Sequence, residues 1–302
     1  MKKPMAILSM LLLAVPGLTA DWSFYGSIRQ ATFYENQDFG DYDQQNVLNG
    51  PGETDDWGVQ WRFQDNSRLG ARVKADKVGG LIELALNSTS GNGGNVVRGS
   101  DGGDGTVTTR RAYGTWKFAD NATLKVGKDY GPLSNLVSGG VYDSDFALKG
   151  QGDMYDKRPG GITLVLGGFE LALLTNAATE SNDLTPTGAD IDWNIPRIEA
   201  RYTLTMGNFQ LIPMGGFQYF KVSEANSALT DDLDIYSYAF GLVAKIGIGA
   251  FYMTGEGAFG QNWGNANWAD GRASAYRGIP GFSASSASLK NNDDTNLIKL
   301  ST

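Results

Sequence analysis

Short stretches of this chain alternate between apolar and polar or small residues. Trp57-Gly58-Val59-Gln60-Trp61-Arg62-Phe63 places its apolar residues at odd positions, and Leu69-Gly70-Ala71-Arg72-Val73-Lys74 keeps that phase. In Tyr236-Ser237-Tyr238-Ala239-Phe240-Gly241-Leu242 the even positions are apolar. Successive side chains of a strand point to opposite faces, so each stretch predicts a strand with one apolar and one wet face. The pattern predicts eleven strands: Trp22–Tyr34, Trp57–Ala75, Leu81–Asn87, Thr108–Phe118, Thr123–Tyr130, Gly161–Leu166, Phe169–Thr175, Pro196–Thr205, Phe209–Val222, Ile235–Lys245 and Ala250–Gly260. A twelfth begins at Thr295. Asp65-Asn66-Ser67 interrupts the second strand and predicts a bulge there or an excursion above a bilayer.

The connections alternate in length. Tight turns are expected at 76–80, 119–122, 167–168, 206–208 and 247–249, with long polar loops at 35–56, 88–105, 131–160, 176–195, 223–234 and up to about 294. Short turns at one end and long loops at the other are the rhythm of a transmembrane β-barrel, whose strands show lipid an apolar face and water a polar one. Trp22, Phe24, Trp116, Phe118, Phe209, Phe217, Tyr219, Phe251 and Phe259 lie near strand ends or on outward phases, as interfacial girdles require. A soluble secreted β-domain is the alternative. Mean hydropathy of −0.27 does not decide between them, because a barrel hides its polar half inside.

Residues 1–20 read as a secretory leader: Lys2 and Lys3, an apolar run from Met5 to Val15, and Leu18-Thr19-Ala20 before a cut at Asp21. The chain has no cysteine and no histidine. That excludes a disulfide framework and the Ser-His-Asp hydrolases, and disfavours zinc and haem sites. The formal charge is −8, and loss of Lys2 and Lys3 takes it from −8 to −10, which argues against a nucleic-acid partner. Asp101-Gly102-Gly103-Asp104-Gly105 hints at a calcium loop but lacks the full ligand series. Arg197, Glu199 and Arg201 alternate on one face and read as lumen lining, and the Asp231-Asp232 pair has no acid–base framework. No enzyme, metal or cofactor is expected.

Three motifs, in order, resemble the trimeric general porins of Gram-negative outer membranes. Ser67-Arg68-Leu69-Gly70 is similar to the family's second-strand signature, Arg110-Arg111-Ala112-Tyr113 to its fourth, and Leu124-Lys125-Val126-Gly127-Lys128-Asp129-Tyr130 to its fifth, with Lys128 where Arg is usual. Residues 22 to about 175 carry the resemblance. It implies an all-β, antiparallel barrel of sixteen strands when complete, spanning 21–302 here. With no aromatic strand closing the chain at Leu300-Ser301-Thr302, continuation beyond it is expected; a twelve-stranded barrel is the alternative.

The resemblance further implies an outer-membrane homotrimer in contact with lipid and lipopolysaccharide, passing ions and small hydrophilic solutes by passive diffusion. The alternatives are a substrate-selective sugar or anion channel and a plugged surface barrel. The strand phase puts Arg29, Arg68, Arg72 and Lys74 on the lumen face. The family's pattern selects Arg110 for the lumen, whereas the alternation of its own strand selects Arg111; Arg110 is preferred. Arg158 resembles a further wall arginine. The resemblance makes 131–160 a constriction loop whose acidic residues, Asp143 and Asp145 foremost, face these cations. The acid-rich loops favour a weak cation preference.

Overall fold

Alternation builds the sheet. A computed structural model describes residues 20–38, 55–63, 67–87, 106–135, 154–155, 157–177, 191–222, 233–263, 266, 268 and 296–301, with backbone alone for 31–38, 55–63, 87, 106, 222, 233 and 296–301. Among them run sixteen strands: β1 (Asp21–Ser27), β2 (Gln30–Asp38), β3 (Asp55–Phe63), β4 (Arg68–Ala75), β5 (Val78–Asn87), β6 (Thr106–Ala119), β7 (Ala122–Lys128), β8 (Gly160–Leu166), β9 (Phe169–Leu174), β10 (Ile191–Asp192), β11 (Arg197–Tyr202), β12 (Leu204–Met206), β13 (Phe209–Val222), β14 (Leu233–Ile248), β15 (Phe251–Gln261) and β16 (Asn296–Ser301). All pairings are antiparallel. β1 joins β4, and the order then follows the chain through β5, β6, β7, β8, β9, β11, β13, β14 and β15 to β16, while β2 and β3 pair separately.

β1–β2 and β3–β4 are each one predicted strand in two pieces. Ser27 pairs with Arg68 and Gln30 with Phe63, so two positions separate β1 from β2 and four separate β3 from β4. Of the expected Asp65-Asn66-Ser67 irregularity only Ser67 is described. Ser67 closes the break by accepting from the Arg29 N–H at 2.9 Å and donating to the Arg29 carbonyl at 3.3 Å.

The tight turns hold two residues each, and four of the five are shorter than expected: Ala119 and Ala122 end β6 and start β7, and Met206 ends β12. Val78-Gly79-Gly80 belongs to β5, leaving Asp76-Lys77 as the turn. Gly247-Ile248 belongs to β14, so that turn is Gly249-Ala250. Gly167, Gly207 and Gly249 sit at φ of 58°, 58° and 60°, the left-handed conformation such turns demand and glycine adopts without a Cβ penalty.

The two faces have the reverse of a soluble protein's polarity. Phe24, Ile82, Phe240 and Phe259 are 80, 58, 52 and 56% exposed, whereas Glu83, Arg110, Arg197 and Glu256 are all buried. Apolar side chains therefore face out and ionisable ones in. That is stable only where the outer medium is as apolar as the side chains. Most of the predicted girdle, including Trp22, Trp116, Phe118, Phe217 and Phe251, stands on this outer face. No described helix is long and apolar enough to cross a membrane.

Candidate pore constriction

Two consecutive arginines of β6 reach the same space. Glu83 pairs with Arg111 and Leu84 with Thr109, so Arg110 is the extra residue of a β-bulge. Ordinary alternation would send Arg110 and Arg111 to opposite faces. The bulge cancels one step and sends both inward. Arg110 Nε donates to Glu83 Oε1 at 3.1 Å, and Arg111 Nε donates to Asp129 Oδ1 at 2.6 Å. The choice between the two arginines thus has no single winner. Before the bulge Val107 faces out at an odd position; after it Trp116 and Phe118 face out at even ones.

These arginines anchor a ladder across the inner wall. Tyr25 of β1 lies over Gly70 of β4 and donates its hydroxyl to Glu83 Oε2 at 2.8 Å. The Arg72 guanidinium stacks 4.7 Å from the Tyr25 ring centre. Arg110 also donates to the Tyr130 hydroxyl at 3.4 Å, and Arg158 donates to the hydroxyls of Tyr130 and Tyr155 at 3.2 and 3.1 Å. Lys125 of β7 reaches Asp129 Oδ2 at 2.7 Å, so Asp129 holds two cations. Asp129 lies one residue past β7. Burial pushes its carboxyl up, but the hydrogen bonds from Arg111 and Lys125 outweigh that and hold it below the ordinary carboxylate range.

Gly127 opens room for this cluster. It sits opposite Tyr113 at a φ of 132°, and a Cβ there would strike the Ala112 carbonyl oxygen and the Tyr113 backbone. Tyr113 can then stay beneath Arg111, which donates to its hydroxyl at 3.3 Å.

Of the residues expected to line the constriction, Arg68, Arg72, Arg110 and Arg158 share the inner surface of β4–β7 and the base of the following loop. Arg29 lies at the β1–β2 break, its Nε donating to Ser27 at 3.1 Å. Lys74 is on the inward phase but two residues from the Asp76-Lys77 turn. At about 3.3 Å per residue it stands roughly 20 Å from Arg68 along β4, at the short-turn mouth. Asp143 and Asp145 lie outside the described residues, as do Asp153, Asp156 and the Asp101–Gly105 segment. Glu83, Lys125, Asp129 and Tyr130 were not singled out as lining residues. Strand phase could have found Glu83 and Lys125; the contacts of Asp129 and Tyr130 form only when the loop folds back.

The opposite wall is dry. Inward residues of β13–β15 include Ile212, Met214, Ala239, Val243 and Ala258, and Leu133, Met154, Trp263, Ala266 and Trp268 pack on them to form one apolar cluster. The last five come from the segments after β7 and β15, so described parts of two loops enter the lumen. A third is tied to the wall by its backbone: Gln218 of β13 exchanges a reciprocal pair of hydrogen bonds with the main chain of Ala177, at 2.9 and 2.7 Å. Arg197 and Glu199, read as lumen lining, do face inward, but they are 1 and 0% exposed beneath these loops. Arg201 keeps a wetter position and pairs with Glu170 at 2.6 Å.

Among the described residues no group of histidine, cysteine, aspartate or glutamate could hold a metal. No family model matches the chain. No curated protein does either. Among solved structures the chain is similar to the outer membrane channel DcaP of Acinetobacter baumannii, at 19% sequence identity and a TM-score of 0.58, over 85% of this chain and 68% of that one. The architecture is accordingly an all-β antiparallel sheet that resembles the barrel of that channel.

Proposed function

We propose that this protein is an outer-membrane porin that lets ions and small hydrophilic solutes diffuse passively, as a homotrimer embedded in lipid and lipopolysaccharide. The observation that carries the reading is the reversed polarity of the sheet, with Phe24 and Phe240 exposed and Glu83 and Arg110 buried. Apolar residues facing lipid and paired charges facing a lumen suit a channel. Transport then needs no bond chemistry: solutes are sieved by size and by the field of the wall.

On β4–β7 the cations Arg68, Arg72, Arg110, Arg111 and Lys125 outnumber the carboxylates Glu83 and Asp129. Such a wall attracts anions, so the preference we propose is anionic, opposite to that expected from the acidic loops. Asp143 and Asp145 remain the proposed counter-charges of the constriction loop. A second reading, a substrate-selective channel, is favoured by the rings of Tyr25, Tyr130 and Tyr155, which interleave with Arg72, Arg110 and Arg158 and could grip an anionic or sugar-like solute.

The test is reconstitution of the protein in planar bilayers under a salt gradient. Stepwise currents reversing toward the anion potential are expected, and saturable block by one solute class would favour the selective reading. A folded, inserted protein that passes no current would overturn both in favour of a plugged barrel.

A further inference from the structure

We infer that Glu199 and Glu256 are positioning residues: from the dry wall they clamp the loop after β7 and the loop after β15, and so set the open cross-section of the channel. The inference rests on the channel reading above. Glu199, on β11, is fully buried, yet its carboxylate serves two loops at once. Oε2 accepts from the Leu133 N–H at 3.1 Å, and Oε1 accepts from the Trp268 indole N–H at 2.7 Å. Arg197, two residues away on the same face, supplies the counter-charge 3.4 Å from Oε1 and donates through Nη1 to the Ala266 carbonyl at 2.7 Å. Glu256, on β15, accepts from the Met154 N–H at 3.0 Å. Both described ends of the long loop between β7 and β8 are therefore held by wall carboxylates.

The two loops are also tied to each other. The Tyr155 N–H donates to the Trp268 carbonyl at 3.1 Å, and within the β7–β8 loop the Asn135 N–H donates to the Met154 carbonyl at 3.3 Å, joining its two described ends. Glycines clear the ground beneath them. A Cβ on Gly216 would strike Leu133 and the Trp268 ring, and one on Gly241 would strike Met154. Packing alone would be served by apolar side chains, since burying a carboxylate is unfavourable unless it is paired or hydrogen-bonded. The carboxylates hold three N–H groups at fixed loop positions, the main-chain N–H of Leu133 and of Met154 and the Trp268 indole N–H. Directional bonds to fixed positions argue for placement of the loops rather than apolar adhesion alone.

The test uses the whole protein in liposomes and planar bilayers, with Glu199→Gln, Glu256→Gln, their combination, Trp268→Phe and Gly216→Val. Trp268→Phe removes one donor without altering charge, and Gly216→Val displaces the loops without touching a carboxylate. Each variant is checked for the heat-modifiable band of a folded barrel. The readouts are single-channel conductance and the size cut-off for uncharged sugars. We expect an upward shift in cut-off and noisier currents in all five, strongest in the double variant. Folded variants whose conductance and cut-off match the parent would overturn the clamp. If the double variant fails to fold, Trp268→Phe and Gly216→Val decide by the same readouts. A parent protein that conducts while no folded variant differs refutes the clamp alone; a folded parent that never conducts refutes the channel reading.

Discussion

At the scale of single residues, the inner wall holds several of its charges in close pairs. Arg110 and Glu83 are 8 and 3% exposed, so removing one leaves the other nearly dry and without its counter-charge in this pair. Glu83→Gln should destabilise the barrel by up to about 3 kcal/mol, the low end for breaking a buried pair, because the lumen supplies some water. It should also shift the reversal potential toward anions. Unfolding by urea in detergent and a salt-gradient recording check the two halves of this prediction. Asp129 governs the pH response of the β7 loop base. Its carboxyl is held down by Arg111 and Lys125, so its stabilising contribution is complete above the ordinary aspartate value of about 3.9 and is lost as pH falls below that. Conductance should be flat from neutral pH to about 4 and change only in stronger acid. In Asp129→Asn the acid step should vanish, and a step that persists would assign it elsewhere.

At the scale of elements, strand phase is the quantity that matters. Phe240 is 52% exposed on the outer face of β14, whereas Thr115 faces inward beside Gly79. Phe240→Arg should therefore cost about 2–4 kcal/mol near mid-bilayer, and Thr115→Arg should be tolerated. Folding yields into vesicles of the two variants compare them directly, and equal yields would mean that the assigned faces are wrong. Gly127→Ala should also lower the yield, because the added methyl group meets the Ala112 carbonyl oxygen. Most strand positions were legible from alternation to within a few residues. The exceptions have local causes. Val78-Gly79-Gly80 looks like a turn by composition, yet Gly79 and Gly80 pack under Thr115 and beside Val73, where larger residues would be too close. The bulge at Arg110 could not be read, since two adjacent arginines fit either phase until a partner strand counts them.

On the scale of the whole molecule, the lumen is divided. One wall, from β1 to β7, carries paired charges and tyrosines; the other, from β11 to β15, combines an apolar cluster with buried polar groups such as Glu199 and Glu256 and is covered by loop segments. In the proposed channel, ion flow is confined to the charged side, where salt screens the wall beyond about 8–10 Å at ordinary ionic strength. Raising salt should accordingly weaken the anion preference without closing the channel. An unchanged permeability ratio from low to high salt would contradict that. The proposed homotrimer predicts that cross-linking of native membranes yields a three-subunit band, and a ladder that stops at the monomer would count against it.

Local pattern alone determined the all-β architecture, the alternation of short and long connections, the outward aromatics and the inward phase of Arg68 and Arg72. Each of these depends on the two-residue period of a strand and on the polarity of what each face must meet. Tertiary structure alone decided that both Arg110 and Arg111 enter the lumen, that Asp129 holds Arg111 and Lys125, and that Glu199 and Glu256 serve buried loop backbone instead of open water. Alternation specifies which face a residue takes on its own strand. It carries no information on which loop returns to cover that face, because a returning loop is held by main-chain hydrogen bonds and glycine-sized gaps that leave no periodic mark in the sequence.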